Sequence, residues 1–194
     1  RRLTSNMKSY LPRSLFDRGL VEVLQIDGSS NRAVALFPLG EEGYDRILID
    51  APCSSERHII HAHTRASNAG TVAPEMTAWK PQGSKTIAKL QLSLLRTAWN
   101  ALRVGGRLIY ATCSLSNTEN DHVISAFLED NTSAVVNWGV PGSTEDRHLA
   151  ASCERTKYGR IALPDHQVPG TEQHSPWGPL YFCILHKVTT TVDE

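Results

Sequence analysis

The sequence predicts an α/β domain with a mostly parallel sheet and helices on both faces. Three observations lead to this prediction. Short apolar segments alternate with segments of helical periodicity, the clearest helix spans Ser84 to Val104, and the strong strands end in turn motifs that contain Asp or Cys. Strand–helix–strand order favours parallel strands that are joined by helical crossovers. The chain of 194 residues is predicted to form one domain over residues 1–194.

The composition is that of an ordinary folded protein, with 40% hydrophobic and 21% charged residues. This balance excludes disorder over the whole chain, and no apolar run approaches the ~18 residues that a membrane span needs. The four cysteines are widely spaced and form no C-x-x-C pair, which is typical of a reducing compartment. We therefore predict an intracellular protein that does not insert into a membrane.

The charges are balanced overall but unevenly distributed. Residues 1–97 contain 13 Lys and Arg against 9 Asp and Glu, whereas residues 98–194 contain 7 against 11. A helix is predicted from Arg1 to Tyr10 and ends near Pro12. Its basic surface either attracts phosphate or is a solvated helix face.

Two strands are predicted in the first part of the chain. Val21–Ile26 alternates apolar and polar residues before the turn signal Asp27-Gly28. Tyr44–Ile49 is apolar and β-branched, and the following Pro52 favours an exit from the strand. Residues 54–83 are rich in Ser, His, Gly, Pro and Thr without periodicity, which predicts a long loop that acts as a lid.

The second part of the chain contains the clearest helix and several shorter elements. Ser84 is predicted to cap the helix that extends to Val104, and Gly105-Gly106 is predicted to end it in a left-handed turn. Ser116 and Glu119 form a capping box that opens a helix through Leu128. Strands are predicted at Arg107–Ala111 and, from weaker signals, at Ala134 to Trp138, Arg160 to Leu163 and Pro179 to Lys187.

Ligands of parallel α/β sheets bind at the carboxyl ends of the strands. The residues just past the three main strands are Asp27, Asp50 to Cys53, and Thr112 to Ser114. A single buried cysteine is more often a core residue. Here, however, a predicted helix follows each cysteine, and a helix N-terminus lowers the pKa of a nearby thiol. Cys113 lies three residues before the predicted cap Ser116.

Three reactions can use two thiols and a carboxylate. A disulfide oxidoreductase uses a C-x-x-C pair, which this sequence lacks, and a thiol hydrolase needs a histidine beside the cysteine, which the 8 histidines leave open. Methylation of cytosine at C5 needs a thiolate that adds to C6 and a carboxyl group that stabilises charge at N3 and the 4-amino group. A second thiol can assist when the first is expelled.

The cysteine motifs resemble those of the Sun-type (Fmu/RsmB-like, NSUN) RNA cytosine-5 methyltransferases. The resemblance extends from about the first residue to Lys187 and is strongest to short members that act on mitochondrial RNA. It implies a Rossmann-like class I fold that uses S-adenosylmethionine. The matching segments are Asp50–Ser55, Gln91–Leu95, Leu102–Gly106, Leu108–Ser116, Glu119-Asn120 and Gly178–Phe182.

The resemblance implies distinct roles for the two cysteines. Cys113 would be the nucleophile that attacks C6, and Cys53 would assist release of the methylated product. In DNA cytosine methyltransferases the nucleophile is instead the thiol of a Pro-Cys motif, which here is Cys53. The choice of Cys113 therefore depends on the family resemblance and not on spacing.

The resemblance also implies contacts to the methyl donor and to RNA. Asp50 would contact the target cytosine and lie near the donor, and Asp27 would lie by the adenosine of S-adenosylmethionine. Pro52 is grouped with these donor-binding residues. Ser114 and Arg57 are expected to contact the RNA.

The resemblance is incomplete at the start of the chain. The family's glycine-rich donor loop, and the acidic residue that holds the ribose, would precede Arg1. Gly105-Gly106 cannot replace that loop because it follows a helix and precedes a strand. We therefore expect a methyltransferase domain that lacks its first strands, with an exposed apolar strand edge and low stability. The missing part would belong to a longer chain or to another chain, or the protein no longer catalyses.

Two further groups of residues have less specific patterns. Cys53, His58, His61 and His63 are spaced as zinc ligands can be, but His-x-His on a loop is unspecific, and we predict no metal. Tryptophan side chains can stack on bases, although a helical tryptophan such as Trp99 is more often part of a core. The four tryptophans are Trp79, Trp99, Trp138 and Trp177.

The sequence thus predicts methyl transfer from S-adenosylmethionine to C5 of cytosine in rRNA or tRNA, through a covalent Cys-C6 adduct. The target base would turn out of its stack to reach the pocket. The alternative is a catalytically inactive subunit that binds RNA or a ribosomal assembly, and a thiol hydrolase is a third. The expected partners are RNA, a ribosomal assembly, or a chain that supplies the missing half. The expected compartment is the mitochondrion, or otherwise the cytoplasm or nucleolus.

Overall fold

The computed structural model describes residues 2–78, 80–138, 143–164 and 178–189. These ranges contain seven α-helices, one 3-10 turn at Ala33–Leu36 and six strands. The helices are α1 (Arg2–Tyr10), α2 (Arg13–Asp17), α3 (Glu56–Asn68), α4 (Pro74–Ala78), α5 (Pro81–Ala101), α6 (Asp121–Asp130) and α7 (Thr144–Ser152). The strands are β1 (Tyr44–Asp50), β2 (Leu102–Thr112), β3 (Ala134–Val136), β4 (Glu154–Arg155), β5 (Arg160–Ala162) and β6 (Leu180–Lys187).

The six strands form one mixed sheet in the order β1-β2-β6-β5-β4, with β3 paired to the carboxyl end of β6. β1 and β2 pair in parallel, and the other pairs of the described residues are antiparallel. Consequently β1, β2, β3 and β5 run in one direction, and β4 and β6 run in the other. The predicted α/β class is confirmed, and the three weaker strand predictions correspond to β3, β5 and β6.

The core lies between one face of the sheet and the helices α5 and α6. Tyr110 of β2 lies opposite Cys183 of β6 in the register, and both side chains are fully buried. Trp99 of α5 packs edge-on against Phe127 of α6, with 5.3 Å between the ring centroids. On the other face, side chains such as Ile109 are only half-buried. Helices α5 and α6 therefore cover the same face of the sheet, whereas the sequence analysis predicts helices on both faces.

The boundary between α5 and β2 differs from the prediction. The helix begins at Pro81 and not at Ser84. Proline is tolerated at the first helical position, because the N–H group that it lacks would have no partner within the helix there. It ends at Ala101 because Leu102 is already extended and pairs with β1. Gly105, with a φ of 76°, does not cap the helix but lies in a bulge within β2. The predicted left-handed helix end at Gly105-Gly106 is thus wrong.

The segment Val21–Ile26, predicted as a strand, has no regular secondary structure and pairs with no strand among the described residues. Alternation of apolar and polar residues indicates only that one side of a segment is covered by other parts of the protein. In this segment most of the apolar side chains are partly buried without pairing to a described strand. Gly28 follows it and lies so near α5 that a Cβ there would be 3.0 Å from Leu94 Cδ2. No strand of the described ranges therefore covers the outer edge of β1, and Leu48 on β1 is 69% exposed, as expected for an exposed apolar edge.

The segment 54–83, predicted as a long loop, is mostly helical and contains α3, α4 and the start of α5. Neither Gly nor Pro interrupts α3. The two prolines that suggested a loop, Pro74 and Pro81, are instead the first residues of α4 and α5, where proline is well tolerated. A composition rich in Ser, His and Pro was therefore misinterpreted, because helix-starting prolines and loop prolines look alike in sequence.

The predicted capping box is also wrong. Helix α6 begins at Asp121, and the Glu119 side chain bonds to Ser54 rather than to the backbone of Ser116. Ser54, which is distant in sequence, is thus the partner of Glu119 in place of the neighbouring Ser116. The buried carboxylate of Asp121 accepts hydrogen bonds from the Tyr181 hydroxyl at 2.8 Å and from other groups, which suits an acidic residue at a helix N-terminus.

The N-terminal region forms the predicted helix as α1, followed by the short α2. Its basic residues are exposed, and Arg13 pairs with Asp17 at 3.9 Å, while Arg1 lies outside the described residues. No helix of the described ranges has both the length and the apolar composition needed to cross a lipid bilayer.

We expect Gly43→Ala to lower the free energy of unfolding by roughly 2–4 kcal/mol, because positive φ and close contact both oppose a side chain there. Gly43 has a φ of 96°, and a Cβ would lie 2.6 Å from the carbonyl oxygen of Ala101. Gly19 is the matched control, since its φ is 66° but nothing lies within 4 Å, so Gly19→Ala should cost only about 1 kcal/mol. Urea unfolding measures both, and equal losses would contradict the close approach of Gly43 to the start of β2.

Candidate active site at the carboxyl ends of the parallel strands

The two motif cysteines meet where β1 and β2 end. Asp50 aligns with Ala111 in the parallel register, and Ala51 N continues the pairing by donating to the Ala111 carbonyl at 2.9 Å. The chains that leave the two strands carry Cys53 and Cys113, whose sulfur atoms lie 3.1 Å apart. Both cysteines are half-buried and free. The sequence placed them on one rim, and the structure brings their sulfur atoms into contact.

A sharp turn of the backbone follows Cys53. Ser55 has a φ of 60°, an unusual value for a residue with a side chain, and α3 begins at the next residue. The first turn of α3 reaches the second cysteine, because Arg57 N donates to the Cys113 carbonyl at 3.4 Å. The helix start beside the thiols is therefore that of α3, whereas the helix predicted after Cys113 begins only at Asp121.

The environment sets the ionisation of Cys53. Burial, followed by the hydrogen bond with Cys113, raises the pKa of the Cys53 thiol from 9.0 to about 11. Cys53 is consequently a neutral thiol at neutral pH. Its S–H group can donate to the sulfur of Cys113, which lies within hydrogen-bond distance.

Glu119 is a site residue whose role the sequence did not reveal. Its side chain is fully buried, and its carboxylate oxygens accept hydrogen bonds from Ser54 N at 2.8 Å and Ser54 Oγ at 2.6 Å. Gln91 of α5, also fully buried, donates to the Pro52 carbonyl at 2.8 Å and lies 3.4 Å from Glu119. A glutamine on the apolar face of the predicted helix was the available signal, since buried polar groups need partners.

Asn120 organises the loop that carries Cys113. Its side chain amide donates to the Ser114 carbonyl at 2.9 Å, and its amide oxygen accepts from Thr112 Oγ1 at 2.6 Å. Asn120 thus contacts the residue on each side of Cys113. The side chains of Thr112, Ser114 and Asn120 are buried, and their polar groups bond within this part of the protein.

The predicted donor-binding residues lie together in one cavity of about 730 Å³ along the open edge of β1. Asp27, Asp50 and Pro52 line it, and apolar side chains such as Leu90 and Leu94 of α5 complete its wall. Ser29 N and Ser29 Oγ donate to the Asp27 carboxylate, and these bonds lower the pKa of Asp27. Neither motif cysteine is among the lining residues of this cavity.

The predicted RNA contacts have internal partners. Ser114 is fully buried, and its hydroxyl accepts from Ser116 N and lies 3.1 Å from Ser54 Oγ. The guanidinium of Arg57 donates to the Pro179 carbonyl at 2.9 and 3.2 Å, which ties α3 to the start of β6. Both residues support the loops around the cysteines, and their contact with RNA stays a prediction.

A second, mostly apolar cavity of about 430 Å³ lies between α3, α4 and the loop after Cys113. Glu56, Ile60, Met76 and Leu115 are among its lining residues. Leu115 and Met76 are large apolar side chains that remain 45% exposed. The sequence analysis did not identify this cavity, because it depends on α3 and α4, which were predicted as a loop.

In the part of the chain that the structure describes, the histidines belong to no metal cluster, and Trp99 and Trp138 pack against other aromatic side chains. In the described ranges no three or more His, Cys, Asp or Glu side chains are grouped to hold a metal, and the thiol of Cys113 bonds to Cys53 and to no histidine. Trp99 is a core residue, and Trp138 packs against Phe182 with ring centroids 5.6 Å apart. Trp79 and Trp177 lie outside the described residues.

The sheet and its helices have the fold of a Rossmann-like methyltransferase. The fold matches the crystal structure of NSun6 from Pyrococcus horikoshii, with a TM-score of 0.53 and 20% identity over 90% of this chain and 37% of that chain. A family model described as 16S rRNA methyltransferase RsmB/F matches residues 11–148. The chain therefore belongs to the RsmB/F methyltransferase family, as the resemblance in its motifs predicted.

Several relatives from animals and bacteria match the chain. It is 28% identical over 190 residues to the mitochondrial tRNA (cytosine(34)-C(5))-methyltransferase of Mus musculus. The alignment covers 97% of this chain and 48% of that protein. It is 27% identical over 197 residues to the 5-cytosine rRNA methyltransferase NSUN4 of Bos taurus, with 97% and 45% covered. A probable ribosomal RNA small subunit methyltransferase B of Bacillus subtilis is 40% identical over 91 residues, or 46% of this chain and 18% of that protein. The chain thus spans about half the length of the two animal relatives.

We expect Cys53 in a Cys113→Ser variant to be alkylated by iodoacetamide with a midpoint above pH 9, because burial, the largest cause of its raised pKa, remains. Peptide mass spectrometry across pH 7 to 11 would follow Cys53 separately from the other cysteines. The same variant in urea is the control, and its midpoint should fall to about pH 8.5, the value of an unperturbed thiol. A folded midpoint at or below that of the unfolded chain would contradict the proposed environment.

Proposed function

We propose that the protein transfers a methyl group from S-adenosylmethionine to C5 of cytosine in RNA, either rRNA or tRNA. The observation that carries this proposal is the 3.1 Å contact between the sulfur atoms of Cys53 and Cys113. The relatives named above act on cytosine in tRNA or are rRNA methyltransferases, and family membership supports the same reaction here.

The cavity beside β1 has the chemistry that the methyl donor requires. Its volume of about 730 Å³ lies within the range of small-molecule sites, and such sites combine apolar walls with a few polar groups. Leu90 and Leu94 offer an apolar surface for adenine, and the carboxylate of Asp27 can accept a hydrogen bond from the adenosine of the donor. Asp50 and Pro52 lie along the same wall, towards the cysteines. When bound, S-adenosylmethionine supplies an electrophilic methyl group on a positively charged sulfur.

Cys113 acts as the nucleophile in the proposed reaction. Its thiolate forms a bond to C6 of the cytosine, and the electron pair of the C5–C6 double bond moves to C5, which then takes the methyl group. Asp50 stabilises the charge that develops at N3 and the 4-amino group of the base. Loss of the C5 proton to water restores the double bond, and the sulfur–C6 bond breaks, so that Cys113 leaves as a thiolate.

Cys53 assists this last step. Because its pKa is raised to about 11, it keeps its proton at neutral pH and can donate a hydrogen bond to the departing sulfur. A hydrogen bond to a charged group contributes about 1.5–3 kcal/mol. The two thiols therefore have different roles, one as nucleophile and one as donor, although they lie side by side.

The compartment is also part of the proposal. The relative from Mus musculus is mitochondrial by its name, and this supports a mitochondrial location for the present protein. Imaging of the tagged protein against a mitochondrial marker tests it, and a purely cytoplasmic or nucleolar signal would refute it.

Cys113→Ala is expected to abolish methyl transfer, and Cys53→Ala is expected to slow product release by about tenfold or more. The measurements are incorporation of labelled methyl into tRNA and rRNA transcripts and denaturing gels that reveal covalent protein–RNA adducts. Only Cys53→Ala should accumulate the adduct. Cys153, which is buried away from the pair, is the control, and Cys153→Ala should behave like the wild type. An active Cys113→Ala variant, or adducts in Cys113→Ala instead, would overturn the assignment of the nucleophile.

Calorimetry of the full-length gene product with S-adenosylmethionine distinguishes an enzyme from an inactive RNA-binding subunit. The wild-type protein is expected to bind the donor, and Asp27→Asn should weaken binding by about tenfold through loss of a charged hydrogen-bond acceptor. Asp17→Asn changes an exposed carboxylate outside the cavity and should leave binding unchanged. No binding by the wild type would instead favour the subunit that binds RNA or a ribosomal assembly without catalysis.

A further inference from the structure

We propose that Glu119 and Asn120 form one positioning element, the Glu-Asn clamp, that fixes the distance between the thiols of Cys53 and Cys113. The inference deepens the proposed function and rests on it for its purpose, which is to hold the nucleophile and its hydrogen-bond donor together. Glu119 and Asn120 are consecutive residues of the turn before α6. Each of them binds a different cysteine loop.

Glu119 holds the loop of Cys53. Both of its carboxylate oxygens contact the next residue, since one accepts from Ser54 N at 2.8 Å and the other lies 2.6 Å from Ser54 Oγ, a hydroxyl that also lies 2.7 Å from a carboxylate oxygen of Glu56. On the other side of Cys53, the Pro52 carbonyl accepts from Gln91 at 2.8 Å, and Gln91 itself lies 3.4 Å from Glu119. The backbone is therefore held on both sides of the first thiol.

Asn120 holds the loop of Cys113 in the same manner. The amide nitrogen donates to the carbonyl of Ser114 at 2.9 Å, and the amide oxygen accepts from Thr112 Oγ1 at 2.6 Å. These two residues are the neighbours of Cys113 on either side. One side chain thus fixes the backbone that carries the second thiol.

The two loops also meet directly. Each cysteine is followed by a serine, and the hydroxyls of Ser54 and Ser114 lie 3.1 Å apart, the same distance that separates the two sulfur atoms. The turn of the clamp is itself tied to the sheet, because the Tyr110 hydroxyl donates to the Glu119 carbonyl at 2.7 Å. The position of the clamp relative to β2 is therefore fixed.

The clamp acts through the loops and not on the substrate. Glu119 is fully buried, and Asn120 is 3% exposed, so neither side chain is placed to meet a nucleotide. Hydrogen bonds to a carboxylate are stronger than neutral ones, and an unpaired buried partner is costly. A glutamine at 119 would bring an N–H group towards the donors of Ser54, and an aspartate at 120 would bring an oxygen towards the Ser114 carbonyl.

The test uses phenylarsine oxide, a probe that requires two neighbouring thiols. One molecule forms two arsenic–sulfur bonds, and its oxygen leaves as water with the two thiol protons. Glu119→Gln and Asn120→Asp are each expected to weaken binding of the probe by about tenfold or more. Single alkylation of either cysteine by iodoacetamide should persist. The control variants are Glu129→Gln, at an exposed position of α6, and Asn117→Asp, also exposed, and both should match the wild type.

Circular dichroism separates loss of positioning from loss of folding. If Glu119→Gln does not fold, Ser54→Ala provides the second test. It removes the hydroxyl that contacts Glu119 and Ser114 but keeps the backbone bond to Glu119, and it should weaken binding of the probe by about threefold. Wild-type binding of the probe by folded Glu119→Gln, or by Ser54→Ala, would overturn the clamp. The experiment contains neither RNA nor methyl donor, so failure of the clamp and failure of the proposed methyl transfer are distinguishable.

Discussion

The parallel register of β1 with β2 is the constraint on which the site depends. Neighbouring parallel strands end at the same rim, so the alignment of Asp50 with Ala111 brings the following loops side by side. A slip by one residue would exchange the two faces of a strand. The buried side chain of Tyr110 opposes such a slip, since it is part of the core and its hydroxyl binds the turn before α6. Core packing thereby determines the distance between two thiols.

A buried polar network supports that rim. Moving a carboxylate out of water is costly unless hydrogen bonds replace the solvent, and Glu119 recovers this cost through the backbone and hydroxyl of Ser54. The same burial that demands such bonds also raises the pKa of Cys53. The proposed role of Cys53 as a hydrogen-bond donor depends on this raised pKa. The cavity proposed for the methyl donor, by contrast, lies along the outer edge of β1.

The wrong predictions of secondary structure share one cause. Gly105 was assigned to a helix end and Ser116 to a capping box because both motifs are common local signals. In the structure the residues after Ala101 pair with β1 and so belong to the sheet. The Glu119 side chain bonds to Ser54 and not to Ser116. Each local preference contributes about 1 kcal/mol, and a strand pairing or a buried charged hydrogen bond exceeds it. Partners distant in sequence therefore decided these elements.

The sequence by itself determined the α/β class, the ends of the parallel strands and the meeting of Cys53 with Cys113 on one rim. These follow from apolar periodicity and from the rule that parallel strands share their carboxyl edge, and both are local or topological. Only the tertiary structure decided that 54–83 is mostly helical, that the segment before Asp27 pairs with no described strand, and that Glu119 bonds to the loop that follows Cys53. Those outcomes depend on which surfaces are buried together, a property that no single segment of the chain contains.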